Sequence, residues 1–359
     1  MLLDGDHPDG EPPESAQPPT PVTVVIVAFG AEPWLERSVE AVLGSVGVAA
    51  NVVLVDNGCT DGAVARLAGR DGVTVVDAGR NVGFAEGCNV GVAATSPVDA
   101  SVVALVNPDA VVEPGTLARL CDRLSEPGVG IATCSLRLAD RPDLLNSAGN
   151  EVHFLGLSWS GSFERPAVER DRPLDVLAAS GAGMAIRRDL WEELGGFAPE
   201  LFAYQEDAEL SLRCWLAGYR VVYEPTAVIT HRYEFSRNPT KFFLLDRNRL
   251  WVLLTVYDRR TLGLLAPLLL LQEAVMFAVA AAQGWFGQRL RSVAWIVAHR
   301  SDLVRRRRHV QAGRRRGDVV VAPMLAEVVQ PGNHPLPGWA VTAQWPLVGY
   351  WRLVRRSLR

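Results

Sequence analysis

Cysteine is scarce in this chain, and its spacing fits neither a metal site nor a disulfide framework. The five cysteines, scattered along 359 residues, are Cys59, Cys88, Cys121, Cys134 and Cys214. Zinc ribbons and redox-active sites need close pairs such as CxxC, and disulfide scaffolds use an even number of cysteines. The pattern therefore indicates reduced thiols in a cytosolic setting.

Motifs of several common protein classes are also missing. The sequence contains neither GxGxxG nor GxxxxGK[ST], which argues against dinucleotide-binding and P-loop folds. Residues 1–20 are acidic and rich in proline, without a basic segment followed by an apolar one, so we expect no signal peptide there. The same composition predicts a disordered tail over residues 1–20.

Positive charge is scarce in the first part of the chain and concentrated at the end. Overall, 48% apolar and 21% charged residues are ordinary for a globular protein. Residues 1–258 carry 20 lysines and arginines against 36 acidic residues, whereas residues 259–359 carry 16 against 4, and all 16 are arginines. This asymmetry predicts an anionic partner, either lipid or nucleic acid, for the C-terminal region.

The first part of the chain alternates the patterns of buried strands and helices. β-Branched runs occupy residues 22–27, 51–55, 73–76 and 102–106. Because helical segments separate them, they predict an α/β fold with a doubly wound, mostly parallel sheet. Loops that are mostly polar follow the strands at 28–30, 56–61, 79–84 and 107–109. We expect these residues along one edge of the sheet, where open α/β folds bind their ligands.

The strand-like run Val102–Val106 ends abruptly at Asn107–Pro108–Asp109. Proline cannot continue a central strand, so the run delivers the Asp109 carboxylate to the carboxyl end of the strand. A single aspartate in such a turn is either a ligand-binding group or a turn former that bonds nearby backbone N–H groups.

The second half of the chain contains three further candidate segments. The turn Gly181–Gly183 lets the backbone approach a ligand closely. Glu206, Asp207 and Glu209 gather at the start of a predicted helix, where acids either stabilise the helix end or serve chemistry. His231 directly follows a predicted strand.

Six motifs occur together in the order found in a known enzyme family. They are Asp56 in VLVDNGCTDG, Asn81 in NVGFAEGCNVG, NPD at 107–109, the Gly181–Gly183 turn, QED at 205–207, and His231. With this set, residues 21–258 resemble the inverting family 2 glycosyltransferases of GT-A fold, in particular the rhamnosyltransferase-like and galactofuranosyltransferase-like branch. The resemblance implies a nucleotide-binding half over residues 21–130 and an acceptor half over residues 131–258.

The resemblance also implies roles for individual residues. The nucleotide-sugar donor would be bound by Ala28, Phe29, Gly30, Asp56, Asn81, Gly83, Phe84 and Asn107. The acceptor would be bound by Gly181, Ala182, Gly183 and Glu206. Asp109 and His231 would hold Mg²⁺ or Mn²⁺ on the donor diphosphate, and Asp207 would be the catalytic base. The chain departs from the family pattern at Asn107, which replaces a carboxylate, and at Glu209, which replaces an aspartate.

Two apolar segments precede and open the C-terminal region. Residues 242–256 predict an amphipathic helix with Arg247 and Arg249 on its polar face. Residues 262–282 are long enough to span a bilayer. An internal proline and Glu273 favour instead a helix that lies in the membrane interface or packs on the domain, since an ionised glutamate at the bilayer centre is costly.

Arginine clusters interleaved with aromatic residues follow. They are Arg289, Arg291, Arg305–Arg308 and Arg314–Arg316, beside Trp285, Phe286, Trp295 and Ile296, and residues 345–359 form a second basic amphipathic segment. Such clusters suit an anionic cytoplasmic leaflet, with a solvated charged helix and nucleic-acid binding as alternatives. Residues 259–359 are therefore predicted to form a helical, membrane-associating region, and we expect no nucleic-acid partner.

The sequence thus predicts a metal-dependent inverting glycosyltransferase at the cytoplasmic face of the cell membrane. The predicted reaction transfers rhamnose from dTDP-rhamnose to a hydroxyl of a lipid-linked or cell-envelope glycan. A galactofuranosyl or other hexosyl transferase that uses a UDP-sugar is the alternative within the same class. A catalytically inactive nucleotide-sugar-binding or membrane scaffold protein is the alternative of another class, against which Asp109, Asp207 and His231 argue.

Overall fold

A computed structural model describes residues 19–233, 240–332 and 338–358 of the chain. Residues 1–18, which make up most of the predicted disordered tail, lie outside the described residues. Regular structure begins at Thr20, one residue before the predicted start of the folded part.

Ten strands of the described chain form one mixed sheet, and two more form a separate hairpin. The strands are β1 (Thr20–Gly30), β2 (Val48–Cys59), β3 (Val73–Asp77), β4 (Val102–Val106), β5 (Ala110–Val112), β6 (Val129–Leu138), β7 (Leu145–Ser147), β8 (Asn150–Val152), β9 (Ser158–Ser160), β10 (Leu174–Asp175), β11 (Gly183–Arg187) and β12 (Arg220–His231). The order along the sheet is β10-β12-β6-β11-β4-β1-β2-β3, with β5 beside β12 and β7 beside β6.

The predicted α/β sheet is confirmed, and one strand inside it has the opposite direction. Strand β1 runs parallel to β2 and β4, and β2 runs parallel to β3. Strand β11 lies between β4 and β6 and is antiparallel to both. The sequence does not reveal this direction, because an apolar run buried on both faces looks the same in parallel and antiparallel strands.

Helices cover the sheet and form most of the C-terminal region. They are α1 (Leu35–Leu43), α2 (Ala63–Leu67), α3 (Gly83–Ala93), α4 (Thr116–Ser125), α5 (Arg188–Leu194), α6 (Glu206–Leu216), α7 (Lys241–Val256), α8 (Arg259–Ala282), α9 (Phe286–Ala298), α10 (Arg300–Ala312), α11 (Gly338–Thr342) and α12 (Trp345–Ser357). Alternate residues of β1 enter two separate hydrophobic clusters, Val24 and Ile26 in one and Val25 and Val27 in the other. The sheet is therefore packed on both faces, as a doubly wound fold requires.

The first two strands extend through the polar residues predicted to follow them. Ala28 pairs with Asp56, and Gly30 pairs with Cys59. The backbone groups of these residues are thus used in the sheet, while their side chains stand at its carboxyl edge. The expected position at one edge is confirmed, although the residues belong to strands and not to separate loops.

A third hydrophobic cluster joins the C-terminal helices to the second half of the sheet domain. It includes Phe154 and Leu212 together with Trp251, Leu265 and Trp351 from the helices. The rings of Phe154 and Trp351 are stacked, with centroids 4.8 Å apart. The C-terminal helices are therefore part of the folded body and not an appended tail.

The predicted polar face of α7 is wrong. Arg247 and Arg249 are only 5% and 0% exposed. Arg249 Nη2 lies 2.5 Å from Glu273 Oε1 on α8, and Asp246 Oδ2 lies 2.6 Å from Arg289 Nη1 on α9. Helical spacing identifies charged positions but not their partners on other helices, and buried charges are tolerated only when such partners exist.

Helix α8 is, within the described residues, the one helix long and apolar enough to cross a membrane by length and composition. Only 17% of its most apolar window is buried. Glu273 in this helix is ion-paired with both Arg249 and Arg289. The helix is therefore attached to α7 and α9, as expected for packing on the domain, while most of its residues are half-buried or exposed.

We predict that Asp246→Ala destabilises the protein by about 3–5 kcal/mol, because it leaves the buried Arg289 guanidinium without this carboxylate. Urea unfolding monitored by tryptophan fluorescence measures the loss. Asp302→Ala is the matched control, since Asp302 forms an ion pair with Arg305 whose side chains are 31% and 72% exposed. The control should cost no more than about 1 kcal/mol. Equal losses for the two variants would contradict a structural role for the buried pair.

Candidate active site

A cleft of about 510 Å³ lies beside the carboxyl end of β4. It is lined by seven of the predicted site residues, Phe84, Asn107, Gly181, Ala182, Glu206, Asp207 and His231. Its wall also contains Trp159, Tyr204 and Lys241, which the sequence patterns did not single out. The cleft thus brings together predicted donor, acceptor and metal-binding residues from both halves of the sheet domain.

The pairing of two strands brings Asp109 to His231. Strand β5 begins directly after Asp109 and runs antiparallel to the end of β12, with Ala110 opposite His231. As a result His231 Nε2 lies 3.2 Å from Asp109 Oδ1. The turn-former interpretation of Asp109 therefore does not account for its position beside an imidazole.

Asn146 on β7 orients the His231 ring. Its Oδ1 lies 2.8 Å from His231 Nδ1, a hydrogen-bond distance that holds the ring in place. The other ring nitrogen, Nε2, faces Asp109. Asn146 is 2% exposed. Sequence analysis missed it, because an asparagine in the segment LLNSAGN has no pattern that distinguishes it from a turn residue.

The Asp109–His231 pair fits a divalent metal held partly by the substrate. A carboxylate oxygen and an imidazole nitrogen with a free lone pair are common ligands of Mn²⁺, and carboxylates bind Mg²⁺. The hydrogen bond between Nδ1 and Asn146 is the support that metal-binding histidines usually have. Across the described chain, no group of three or more His, Cys, Asp and Glu side chains could hold a metal. Two protein ligands would therefore leave several positions for phosphate oxygens and water.

Asp207 is held in one orientation by three N–H donors. Its Oδ2 accepts hydrogen bonds from Gly181 N at 2.9 Å and Asn150 Nδ2 at 3.0 Å, and its Oδ1 accepts one from Ala208 N at 2.7 Å. Burial raises the pKa of Asp207, while these hydrogen bonds oppose the rise. A fixed carboxylate with a raised pKa is better matched to accept a proton near neutral pH than an ordinary aspartate.

Glu206 lies beside Asp207 in the cleft wall. It is 6% exposed, and burial, followed by the charge of Asp207, raises its pKa well above the usual value. Its buried Oε2 has no hydrogen-bond partner within the described structure. A neutral carboxyl group in this position can donate a hydrogen bond to a substrate hydroxyl.

The sequence model of one protein family matches most of the chain. The model of the glycosyltransferase like family 2 matches residues 18–252, which include every cleft residue named above. The chain is a family 2 glycosyltransferase.

Two similar proteins are rhamnosyltransferases. The glycosyltransferase is 29% identical over 265 residues to the N-acetylglucosaminyl-diphospho-decaprenol L-rhamnosyltransferase of Mycobacterium tuberculosis. The alignment covers 64% of this chain and 85% of that protein. It is 22% identical over 218 residues to the O-antigen chain rhamnosyltransferase RfbN of Salmonella typhimurium. That alignment covers 60% of this chain and 67% of the relative. These similarities support the rhamnosyltransferase-like branch.

Solved structures with a similar fold are also glycosyltransferases. GalNAc-T7 with UDP, GalNAc and Mn²⁺ has a TM-score of 0.54 at 18% identity, over 66% of this chain and 48% of that one. The mannosyltransferase PcManGT of Pyrobaculum calidifontis with GDP-Man and Mn²⁺ has a TM-score of 0.50 at 20% identity, over 83% and 86%. At these identities the likeness concerns the fold, and it agrees with the predicted GT-A type.

Several predicted donor residues of the glycosyltransferase lie outside the cleft lining, on the adjoining sheet edge. Asp56 Oδ1 accepts hydrogen bonds from Gly58 N at 3.0 Å and Cys59 N at 2.9 Å, which orient its carboxylate at the end of β2. Residues Ala28–Gly30 end the neighbouring strand β1, and the Phe29 side chain is 51% exposed. An exposed aromatic ring beside an oriented carboxylate is compatible with nucleoside binding, which stays a prediction for these residues.

Asn81 and Gly83 shape the turn at the start of α3. Asn81 Oδ1 accepts hydrogen bonds from Asn57 Nδ2 at 3.1 Å and from Gly83 N at 3.0 Å. Gly83 has φ +87°, and an added Cβ would collide with the carbonyl oxygen of Phe202. Both residues thus have a structural role in this turn, besides the nucleoside contact that the resemblance implies.

Gly183 directly follows the cleft-lining residues Gly181 and Ala182. It begins β11, where an added Cβ would lie 2.6 Å from Cys134 Sγ. Its small size serves the packing of the sheet, and it is not part of the cleft lining. Acceptor binding stays a prediction for Gly183, as it does for Gly181 and Ala182, which line the cleft.

Glu209, which departs from the family pattern, is part of a buried ion-pair cluster. It is 0% exposed and lies 2.7 Å from Arg213 Nη2 and 3.0 Å from Arg306 Nη2. Arg306 belongs to the arginine cluster that was predicted to face a membrane. The structure corrects that expectation for Arg306, whose charge is neutralised inside the protein.

The backbone directly before Glu206 and Asp207 is strained. Phe202, Tyr204 and Gln205 have φ values of 64°, 71° and 67°, in a region that residues with side chains rarely adopt. This turn ends where α6 begins. Its conformation therefore sets the position of both carboxyl groups in the cleft.

Asn248 on α7 stabilises the strained turn. Its Nδ2 donates hydrogen bonds to the carbonyl oxygens of Leu201 at 2.9 Å, Ala203 at 2.8 Å and Tyr204 at 2.7 Å. Asn248 is 0% exposed, and the neighbouring Arg247 Nη2 also donates to Leu201 O, at 2.6 Å. Sequence analysis missed this role, because the acceptors are backbone atoms more than 40 residues away.

We predict that Asn248→Ala lowers kcat about tenfold or more with a smaller change in KM, because the released turn misplaces Asp207. Steady-state kinetics with saturating donor measures the effect. Asn89→Ala is the matched control, since Asn89 bonds the backbone N–H and C=O of Phe197 in another turn. The control should lower the unfolding midpoint without the loss of kcat. An unchanged kcat in a folded Asn248→Ala protein would contradict the role of the turn.

Proposed function

We propose that this protein is a metal-dependent inverting glycosyltransferase that transfers rhamnose from dTDP-rhamnose to a hydroxyl of a lipid-linked or cell-envelope glycan. One observation carries the proposal. Asp207, fixed by three N–H donors, shares a cleft with His231, whose Nε2 lies 3.2 Å from Asp109 Oδ1. A base in the cleft and a metal-binding pair at its edge are the two groups that such a transfer needs.

Asp207 and the Asp109–His231 pair would have different roles in the transfer reaction. Asp207 accepts the proton of the acceptor hydroxyl while that oxygen bonds to the anomeric carbon from the side opposite the leaving group, which inverts the configuration. A glycosidase needs a second carboxyl group to protonate the leaving oxygen. Asp109 and His231 would hold Mg²⁺ or Mn²⁺, which when bound offsets the charge that develops on the nucleoside diphosphate.

The choice of sugar rests on the relatives. Both similar curated proteins described above are named rhamnosyltransferases, which favours dTDP-rhamnose over UDP-galactofuranose or another UDP-sugar. The mycobacterial relative is named for an acceptor in which N-acetylglucosamine is linked through a diphosphate to decaprenol. A lipid-linked glycan is therefore the acceptor class that we propose.

We further propose that the enzyme works at the cytoplasmic face of the membrane, with the outer face of α8 in contact with lipid. Leu270, Leu271 and Val275 are 71%, 52% and 51% exposed. Their spacing places them on one side of the helix, and Phe286 and Leu290 on α9 are 42% and 48% exposed. Exposed apolar residues of this kind suit an interfacial helix, with the remaining exposed arginines facing anionic lipid headgroups.

A panel of nucleotide sugars tests the proposed reaction. With Mg²⁺ or Mn²⁺ and a membrane lipid extract, we expect transfer from dTDP-rhamnose, loss of transfer with a chelator, and a loss of about 10²-fold or more in Asp207→Asn. Asp140→Asn is the control, because the Asp140 side chain is 77% exposed, and it should keep full activity. Metal-dependent nucleotide binding without turnover on any sugar would support the inactive binding or scaffold protein instead.

Vesicle binding tests the proposed membrane contact. The double variant Leu271→Glu and Val275→Glu should reduce cosedimentation with anionic vesicles about tenfold or more, because charged side chains oppose insertion of the α8 face. Val168→Glu, at a position that is 80% exposed in the sheet domain, should bind as the parent does. If the α8 variant sediments with vesicles like the parent, this face of α8 is not the membrane contact.

A further inference from the structure

Lys241 is the only lysine among the 36 lysine and arginine residues of the chain. The two residue types differ in chemistry. Arginine offers a flat guanidinium that stays charged, whereas lysine offers a compact ammonium on a flexible stem that reaches phosphate oxygens as a point charge. Because the other 35 of these residues are arginines, Lys241 carries the one side-chain ammonium group of the chain.

The side chain of Lys241 is in the wall of the cleft. Lys241 is the first residue of α7, is 7% exposed, and lines the same cleft as Asn107, Asp207 and His231. Its Nζ lies 5.6 Å from the centre of the Tyr204 ring. Burial lowers the pKa of Lys241 to about 7, because the ammonium is desolvated there. A phosphate anion bound in the cleft would further stabilise the charged form.

The charges of the cleft wall favour such an anion at Lys241. Among the described residues that line the cleft, Lys241 is the one lysine or arginine, whereas Glu206 and Asp207 contribute carboxyl groups. A substrate that carries a diphosphate brings at least two negative charges into this surrounding. A cation on the wall of the cleft would offset part of this charge, in addition to the metal that Asp109 and His231 would hold.

We propose that Lys241 binds a diphosphate group in the cleft. The proposal rests on the proposed function, in which both substrates contain a diphosphate, the donor in its nucleotide and a lipid-linked acceptor in its linker. The ammonium donates charge-assisted hydrogen bonds to the phosphate oxygens. Lys241 is thus a binding residue for the substrate, distinct from the Asp207 base and the Asp109–His231 pair.

Calorimetric titration of the full chain with three probes in the presence of Mn²⁺ tests the proposal. The probes are dTDP for the donor diphosphate, farnesyl diphosphate for the acceptor diphosphate, and thymidine, which has no phosphate. In Lys241→Gln we expect a Kd about tenfold or more weaker for at least one diphosphate, with the Kd of thymidine unchanged. A loss for dTDP assigns Lys241 to the donor, and a loss for farnesyl diphosphate assigns it to the acceptor.

Two further variants control the experiment. Lys241→Arg keeps the charge and should recover part of the affinity. Arg172→Gln removes a cation whose side chain is 90% exposed and should leave each Kd unchanged. Lys241→Met, which preserves the apolar stem, takes the place of Lys241→Gln if thermal unfolding shows that the glutamine variant does not fold.

The proposal is overturned if folded Lys241→Gln binds both diphosphates within about twofold of the parent, or if thymidine binding weakens to the same extent. The first result would leave the proposed function intact, since the parent would still bind dTDP and transfer sugar. A parent protein that binds neither diphosphate and transfers no sugar would instead contradict the proposed function and this inference together.

Discussion

The pairing of β5 with β12 is the constraint on which the rest of the site depends. It is a short antiparallel contact in which Ala110 lies opposite His231, and it brings Asp109 into contact with an imidazole 122 residues further along the chain. Asn146 then fixes the ring from β7, itself paired with β6. Because side chains alternate between the two faces of a strand, a shift of this register by one residue would turn His231 away from Asp109.

A second constraint acts from outside the sheet. Helix α7 does not contribute to the sheet, yet Asn248 holds the turn that places Asp207, and Lys241 at its first residue lines the cleft. The same helix is fixed by the buried pairs of Asp246 with Arg289 and of Arg249 with Glu273. The geometry of the base is therefore coupled to the packing of the C-terminal helices, and damage to the ion pairs on α8 and α9 would reach the active site through α7.

The abundant arginines at the end of the chain have two different roles. Arg289 and Arg306 are bound to buried carboxylates, and Arg307 Nη1 donates to the carbonyl oxygens of Leu254 and Tyr257 at 2.6 and 2.8 Å. These side chains connect α9 and α10 to α7, and α10 to α6. The net positive charge of the C-terminal region is therefore weaker evidence for lipid binding than the exposed apolar residues of α8.

The fold class, the family and the groups at the centre of the site could all be predicted from the amino-acid sequence. Four β-branched runs predicted the parallel strands, and NPD, QED and His231 predicted residues that do meet in or beside one cleft, because each stands directly after or before a regular element whose position the hydrophobic pattern fixes. The direction of β11, the burial of Arg249 and the roles of Asn146 and Asn248 became visible in the folded chain. A hydrophobic period records which side of an element is buried but not which element packs against it, and the function of a polar side chain depends on that distant partner.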